Sequence, residues 1–279
     1  MQLTLISGLS GSGKSIALNV LEDAGYYCVD NLPVALLPGL IDNLDAAGYQ
    51  RVGVAVDVRS GASIENVPEA VAALRARVGD LRFIFLDSRD ETLVARFSET
   101  RRRHPLSELG LTIEEAIARE RDLLAQVGEI GHRIDTSDLH PNTLRTWVKD
   151  IINAAPGAGL TLLFQSFGFK HGIPVDADMV FDVRCLPNPY WDPSLRPFTG
   201  KDREVIDFLE ASPDVHRMAQ DIHKFVGDWL PSFVRDGRSY LTVGIGCTGG
   251  QHRSVYLAEW LARQFTGQVK VLVRHRSLK

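Results

Sequence analysis

No apolar run in the 279-residue chain approaches the ~20 residues a membrane-spanning helix needs, so no membrane segment is expected. The N-terminus, Met1-Gln2-Leu3-Thr4-Leu5-Ile6, lacks a basic segment ahead of a long apolar core, so no signal peptide is expected. Cysteine is scarce and odd in number: Cys28, Cys185 and Cys247 stand in a chain large enough to build a core without staples, and a reduced, cytoplasmic setting is expected. Internal repeats and low-complexity tracts are absent. An excess of basic charge is missing too. The chain carries 31 Lys+Arg against 35 Asp+Glu, a net of −4, which as an average argues against a nucleic-acid partner.

What is present is an ordinary folded composition, 44% hydrophobic and 24% charged, at a length that suits two domains. The run Ala154-Ala155-Pro156-Gly157-Ala158-Gly159 holds only small residues and breakers and reads as a linker, dividing the chain into 1–154 and 155–279. The charge divides there as well. Residues 1–155 hold 16 basic and 22 acidic side chains, a net of −6, and the remainder holds 15 and 13, a net of +2.

In the first half short apolar runs at 3–7, 26–29, 52–56, 83–86 and 132–135 alternate with helical patterns at 15–24, 113–127 and 141–154. Such alternation predicts an α/β domain with a parallel sheet covered by helices. The second half mixes strands at 160–166, 179–183, 240–245 and 269–273 with helices at 205–209, 214–229 and 254–265, a smaller α/β domain. The Pro-rich run Leu186-Pro187-Asn188-Pro189-Tyr190-Trp191-Asp192-Pro193 predicts a loop.

Gly8-Leu9-Ser10-Gly11-Ser12-Gly13-Lys14-Ser15 matches G-x-x-x-x-G-K-[ST] at every fixed position, with an apolar strand before it and a helix after it. The glycines let successive N–H groups turn toward one anion, and the helix adds its positive N-terminal end. Lys14 would reach the β- and γ-phosphates of a nucleotide, and the Ser15 hydroxyl would coordinate Mg²⁺. Asp57, ending an apolar run, is the candidate metal-side carboxylate. A strand-end turn or helix cap is the competing reading, and the one that suits Asp87 better. Asp57-Val58-Arg59-Ser60 also offers an Arg and a hydroxyl for phosphates. Arg101-Arg102-Arg103-His104, just past a helix, is either a basic lid supplying charge over the phosphates or a solvated helix end favoured by the helix dipole.

Gly244-Ile245-Gly246-Cys247-Thr248-Gly249-Gly250-Gln251-His252-Arg253-Ser254 is a second strand, Gly-rich loop and helix start. Arg253 offers a bidentate fork, Thr248 and Ser254 offer hydroxyls, and Ser254 is also a good N-cap. Cys247 and Arg253 have the C-x-x-x-x-x-R spacing of cysteine-dependent phosphatases, with Asp192 of Trp191-Asp192-Pro193 as a conceivable general acid. A non-catalytic phosphate or sugar-phosphate pocket fits the same residues. Basic residues that include Lys170, Lys270, Arg274, Arg276 and Lys279, interleaved with Phe167, Phe169, Tyr190 and Trp191, suit unpaired RNA bases or form a solvated surface.

The run Leu21-Glu22-Asp23-Ala24-Gly25-Tyr26-Tyr27-Cys28-Val29-Asp30-Asn31-Leu32-Pro33 following the Gly-Lys-Ser loop resembles the RapZ/YvcJ family of bacterial P-loop proteins. So do Ser166-Phe167-Gly168-Phe169-Lys170-His171-Gly172, Phe181-Asp182-Val183-Arg184, Leu186-Pro187-Asn188-Pro189 and residues 246–255. The resemblance runs essentially end to end. It implies an ATP- and GTP-binding regulator with weak hydrolysis, in which residues 8–15 form the ATP loop and residues 57–60 a GTP-associated segment. It further implies a C-terminal domain that binds small regulatory RNA and presents it to an endoribonuclease in control of amino-sugar synthesis. That domain would sense an amino-sugar phosphate at Cys247, Thr248, Gly249, Gly250, His252, Arg253 and Ser254, with Asp182 nearby. The expected partners are therefore nucleotides, RNA, an endoribonuclease, the sugar phosphate and further copies of the chain in a homo-oligomer. A small-molecule kinase is the alternative, favoured by the lid-like arginines and disfavoured by the lack of a nameable acceptor-site base.

Overall fold

The computed structural model describes residues 1–58, 66–107, 110–153, 160–235, 238 and 240–278. The chain forms two compact units, Met1–Gly157 and Ala158–Lys279.

The first unit is built on β1 (Gln2–Gly8), β2 (Tyr27–Val29), β3 (Arg51–Ala55), β4 (Asp80–Asp87) and β5 (His132–Asp135). These strands make one parallel sheet in the order β2-β3-β1-β4-β5. β1 is central, and the crossovers leave it in both directions, so a crevice opens beyond its C-terminal end. The helices are α1 (Lys14–Asp23), α2 (Leu37–Ala46), α3 (Val67–Arg75), α4 (Asp90–Thr100), α5 (Ile113–Ile130) and α6 (Pro141–Ile152). Continuous burial along β1, β3 and β4 reflects a sheet covered on both faces.

Two helices, α2 and α3, are not visible in the apolar periodicity. Each begins with Pro at its first or second position, where the missing N–H costs nothing, so a residue that reads as a breaker is here a start signal. α5 carries a full capping box: Thr112 accepts from the Glu115 N–H, and Glu115 returns to the Thr112 N–H.

The second unit holds β6 (Thr161–Gly168), β7 (Met179–Asp182), β8 (Tyr240–Cys247) and β9 (Lys270–His275), again all parallel, in the order β7-β8-β6-β9. Its helices are α7 (Arg203–Glu210), α8 (Pro213–Arg235) and α9 (Arg253–Phe265). α8 runs through Pro231 and so continues past the expected end at 229. The expected loop at 186–193 contains a 3₁₀ turn, Pro189–Trp191. Among the described residues no helix is long and apolar enough to cross a membrane.

Candidate functional site

The Gly-Lys-Ser loop lies at the C-terminal end of β1. Gly8 and Gly13 have left-handed φ values of 140° and 106°. A Cβ on Gly8 would stand 2.1 Å from the Leu86 carbonyl oxygen of β4, so only glycine fits there. The Leu9 N–H donates to that same oxygen, binding loop to sheet. α1 starts at Lys14 with neither a side-chain cap nor an acidic residue in its first turn. Its positive end therefore faces the loop without a side-chain acceptor, the reverse of the boxed start of α5. Lys14 Nζ folds back onto the Gly8 and Leu9 carbonyls at 2.7 and 3.2 Å. Ser15 is exposed one residue further on.

Three braces on the loop were not read from sequence. Glu120 of α5, fully buried, accepts from the Ser10 N–H at 2.9 Å and the Ser10 hydroxyl at 2.8 Å. Arg96 of α4 donates to the Gly11 carbonyl at 3.0 Å and to the Thr136 carbonyl at 2.6 Å. Thr136, just past β5, places its hydroxyl 2.9 Å from the Ser12 carbonyl. All three partners come from elements far away in sequence and carry no motif.

Asp57 follows β3, beside β1, and is buried; Val58 is buried next to it, while Arg59 and Ser60 lie outside the described residues. Asp87 ends β4, the other neighbour of β1. It is an ion-pair centre as well as a turn former: Arg121 Nη1 donates to Oδ1 at 2.9 Å, Arg133 donates through Nε at 2.9 Å and through Nη2 to Oδ2, and the Ser88 N–H donates at 2.7 Å. Of the four-residue basic segment, Arg101, Arg102 and Arg103 are exposed. His104 does not belong to a solvated lid: its side chain is fully buried and bonded to Glu120 at 3.0 Å. An apolar neighbour, Phe97, packs on its ring at 5.1 Å between centroids.

In the second unit Cys247 ends β8, and the loop after it runs into α9. The Gly250 N–H donates to Cys247 Sγ at 3.2 Å, and the Ser254 hydroxyl lies 3.1 Å away. Burial alone would raise the thiol, but Ser254, the Gly250 N–H and the Arg253 charge hold it below its ordinary value. Ser254 thus serves the sulfur. Gly168 at the end of β6 packs so tightly that a Cβ there would sit 2.6 Å from Gly249. Lys170 is carried to the loop by its own N–H, which donates to the Thr248 carbonyl at 3.2 Å. Asp182 of β7 flanks the loop through the Val183 N–H···Gly246 contact, and Arg184 keeps its carboxylate below the usual range.

Arg253 is buried and turns its fork inward: Nη1 donates to the Arg184 and Leu186 carbonyls at 2.8 and 3.0 Å, and Nη2 to the Thr248 hydroxyl at 3.3 Å. The bidentate fork expected from sequence is therefore spent largely on the Arg184 and Leu186 carbonyls, at the entry to the Pro-rich turn. Arg253 Nε is buried without a hydrogen-bond partner; His252 Nε2 makes no bond of good geometry, though backbone groups of Phe198, Leu195 and Arg196 surround its ring. Burial holds His252 below its ordinary range. The Asp192 carboxylate, the conceivable general acid, accepts from the Ser194 N–H and hydroxyl at 2.9 and 2.7 Å, and these bonds hold it below the usual range.

Two of the basic residues expected on the surface are not there. Arg274 is buried, and Arg276 has its side chain 6% exposed, 3.9 Å from buried Asp176. Lys170 is exposed, Lys270 is half-buried at the start of the edge strand β9, and Lys279 lies outside the described residues.

A Gly-Lys-Ser loop at the crossover point of a parallel sheet, leading into an uncapped helix, defines a P-loop α/β protein. Residues 1–155 match the family model described as RapZ-like N-terminal domain, and residues 160–279 match RapZ C-terminal domain. The chain belongs to the RapZ family. A nucleotide-binding protein of Azoarcus sp. strain BH72 is 70% identical over 99% of this chain and 95% of its own. Another from Dechloromonas aromatica is 60% identical over 100% and 99%. Among solved structures, an unliganded sugar kinase from Janibacter sp. aligns over 56% of this chain and 96% of its own at 17% identity. Its TM-score is 0.40, a level that says nothing of substrate.

Proposed function

We propose that the chain is an ATP- and GTP-binding regulator with slow hydrolysis in its first unit, and that its second unit binds a sugar phosphate and small regulatory RNA. The observation that carries the first part is the loop itself: a glycine at position 8 that no other residue can replace, and a helix start with no side-chain acceptor. Lys14 exchanges the Gly8 and Leu9 carbonyls for β- and γ-phosphate oxygens. Ser15 and Asp57 are hard oxygen donors of the kind Mg²⁺ takes, and the ion would neutralise phosphate charge when bound. Slow turnover suits a site in which Asp87, a second strand-end carboxylate, is engaged by two arginines. Curated relatives named as nucleotide-binding proteins support the same reading.

In the second unit Lys170 and the unpartnered Arg253 Nε favour an anion at the Cys247–Ser254 loop, and the commitment of Asp192 to Ser194 favours that reading over a thiol-based phosphatase. An amino-sugar phosphate matches an anion loop flanked by the Asp182 carboxylate. Exposed Lys170 with Tyr190 and Trp191 supports RNA contact, which an endoribonuclease would then receive. A reduced cytoplasmic setting fits the three free cysteines, and a homo-oligomer is part of the proposal.

Calorimetry with Mg·ATP and Mg·GTP tests the nucleotide reading: wild type binds, and Lys14→Ala loses binding. Phosphate release without a phosphorylated acceptor supports the regulator, whereas ADP formed in step with a phosphorylated small molecule refutes it in favour of a kinase. Gel shifts with cellular small RNA test the second unit. Binding should fall steeply with salt, and Lys170→Ala should reduce the salt slope by about one. An unshifted RNA at low salt overturns the RNA reading.

A further inference from the structure

Resting on the nucleotide reading above, we propose that Glu120 and His104 form a clamp that sets the shape of the phosphate loop and ties it to the Arg101–Arg103 segment, making both positioning residues for nucleotide turnover. Glu120 accepts three hydrogen bonds at zero exposure. Two come from Ser10, through its N–H and its hydroxyl, and the third comes from His104 Nε2 at 3.0 Å. The Leu106 N–H donates to His104 Nδ1 at 3.2 Å, which leaves the ring proton on Nε2, pointing at the carboxylate. The imidazole is therefore locked at both nitrogens, and Phe97 packs against it at a tilt of 54°.

The chain leaves α4 through Arg101, whose φ of 50° is left-handed, and exposes three arginines before His104 dives back to Glu120. A Cβ on Gly11 would meet Phe97 at 3.5 Å and Leu93 at 3.6 Å, so α4 itself rests on the loop. The arginines are thus held one residue from a side chain that shares its acceptor with the phosphate loop. A solvated basic helix end needs no such anchor. A buried carboxylate behind an anion-binding loop is electrostatically adverse to phosphate, and its retention is explained if its hydrogen bonds order the loop and carry that order to the arginines.

Four full-length proteins test this: wild type, Glu120→Gln, Glu120→Leu and His104→Leu. Without nucleotide, trypsin cleavage after residues 101–103, mapped by mass spectrometry, reads the anchor. Calorimetry and phosphate release with Mg·ATP read affinity and turnover separately. Glu120→Gln should stay within about 3-fold of wild type throughout. Its carboxamide oxygen can accept from the Ser10 N–H and His104, and its NH₂ can donate to the Ser10 hydroxyl. Glu120→Leu should be cut, and should lose affinity, by about 10-fold or more, because it strands the Ser10 N–H in a buried site. His104→Leu should be cut about 10-fold faster and lose about 10-fold in turnover at an affinity within about 3-fold of wild type. The clamp is overturned if Glu120→Leu is cut at the wild-type rate, if Glu120→Gln behaves like Glu120→Leu, or if His104→Leu loses affinity and turnover together. Should Glu120→Leu fail to fold, Glu120→Gln and His104→Leu decide alone. Absence of nucleotide binding by wild type refutes the function proposed above, and the cleavage rates still judge the clamp.

Discussion

Removing Arg133 probes the brace beneath the phosphate loop. Asp87 is fully buried at the end of β4, one residue past Leu86, whose carbonyl receives the Leu9 N–H. Arg133→Met deletes two charge-assisted bonds to Oδ2 and leaves Oδ1 with Arg121 and the Ser88 N–H. Breaking a buried pair costs roughly 3–5 kcal/mol when the surviving charge is abandoned. Here the charge keeps a second arginine, and the Arg133 side chain is 40% exposed, so solvent takes up part of the loss. An expected cost of about 2 kcal/mol follows. In a unit of this size that lowers the midpoint of thermal unfolding by about 4–8 °C. Arg121→Met/Arg133→Met should cost more than the two single variants summed, because only the double variant strands the carboxylate. Urea denaturation followed by circular dichroism, with each variant on the full chain, measures all three. A single-variant cost under about 0.5 kcal/mol, or strict additivity, would refute the reasoning.

Gly250→Ala should destabilise the second unit by about 2 kcal/mol or more, since φ is 73° and the new Cβ would lie 2.3 Å from Ser277 Oγ and 2.6 Å from the Gly168 N; unchanged urea unfolding contradicts this. The Cys247 thiolate, followed by ultraviolet difference absorbance against Cys247→Ser, should titrate below 9.0, and Ser254→Ala should move it back up. Burial lowers both His252 and His275 from 6.5, so protonation opposes folding. The second unit should be most stable above pH 6.5 and lose stability as pH falls from there toward the lower folded values, and a His252→Gln/His275→Gln variant should show a flatter profile. Stability that rises on acidification across that window defeats the assignment.

Sequence alone determined the elements whose signals are local. A strand, a G-x-x-x-x-G-K-S run and a helix in register specify a phosphate loop, because backbone freedom at glycine and the end of a helix are properties of neighbouring residues. Apolar alternation likewise specified a parallel sheet in the first half and an α/β mixture in the second, whose parallel pairing only the structure shows. Pro38 and Pro68 hid α2 and α3, since a proline reads as an interruption until its place in the first turn is known. Only the tertiary structure decided which side chains meet. Glu120 and Ser10 are 110 residues apart, and Arg96 reaches the Gly11 carbonyl across 85. The same charge type was also sorted by folding alone: Lys170 was left exposed, while Arg274 was buried and Arg276 was drawn toward buried Asp176. A basic residue's letter records its charge, but whether that charge faces a ligand or satisfies a buried acid depends on the strand register and the loop that closes over it.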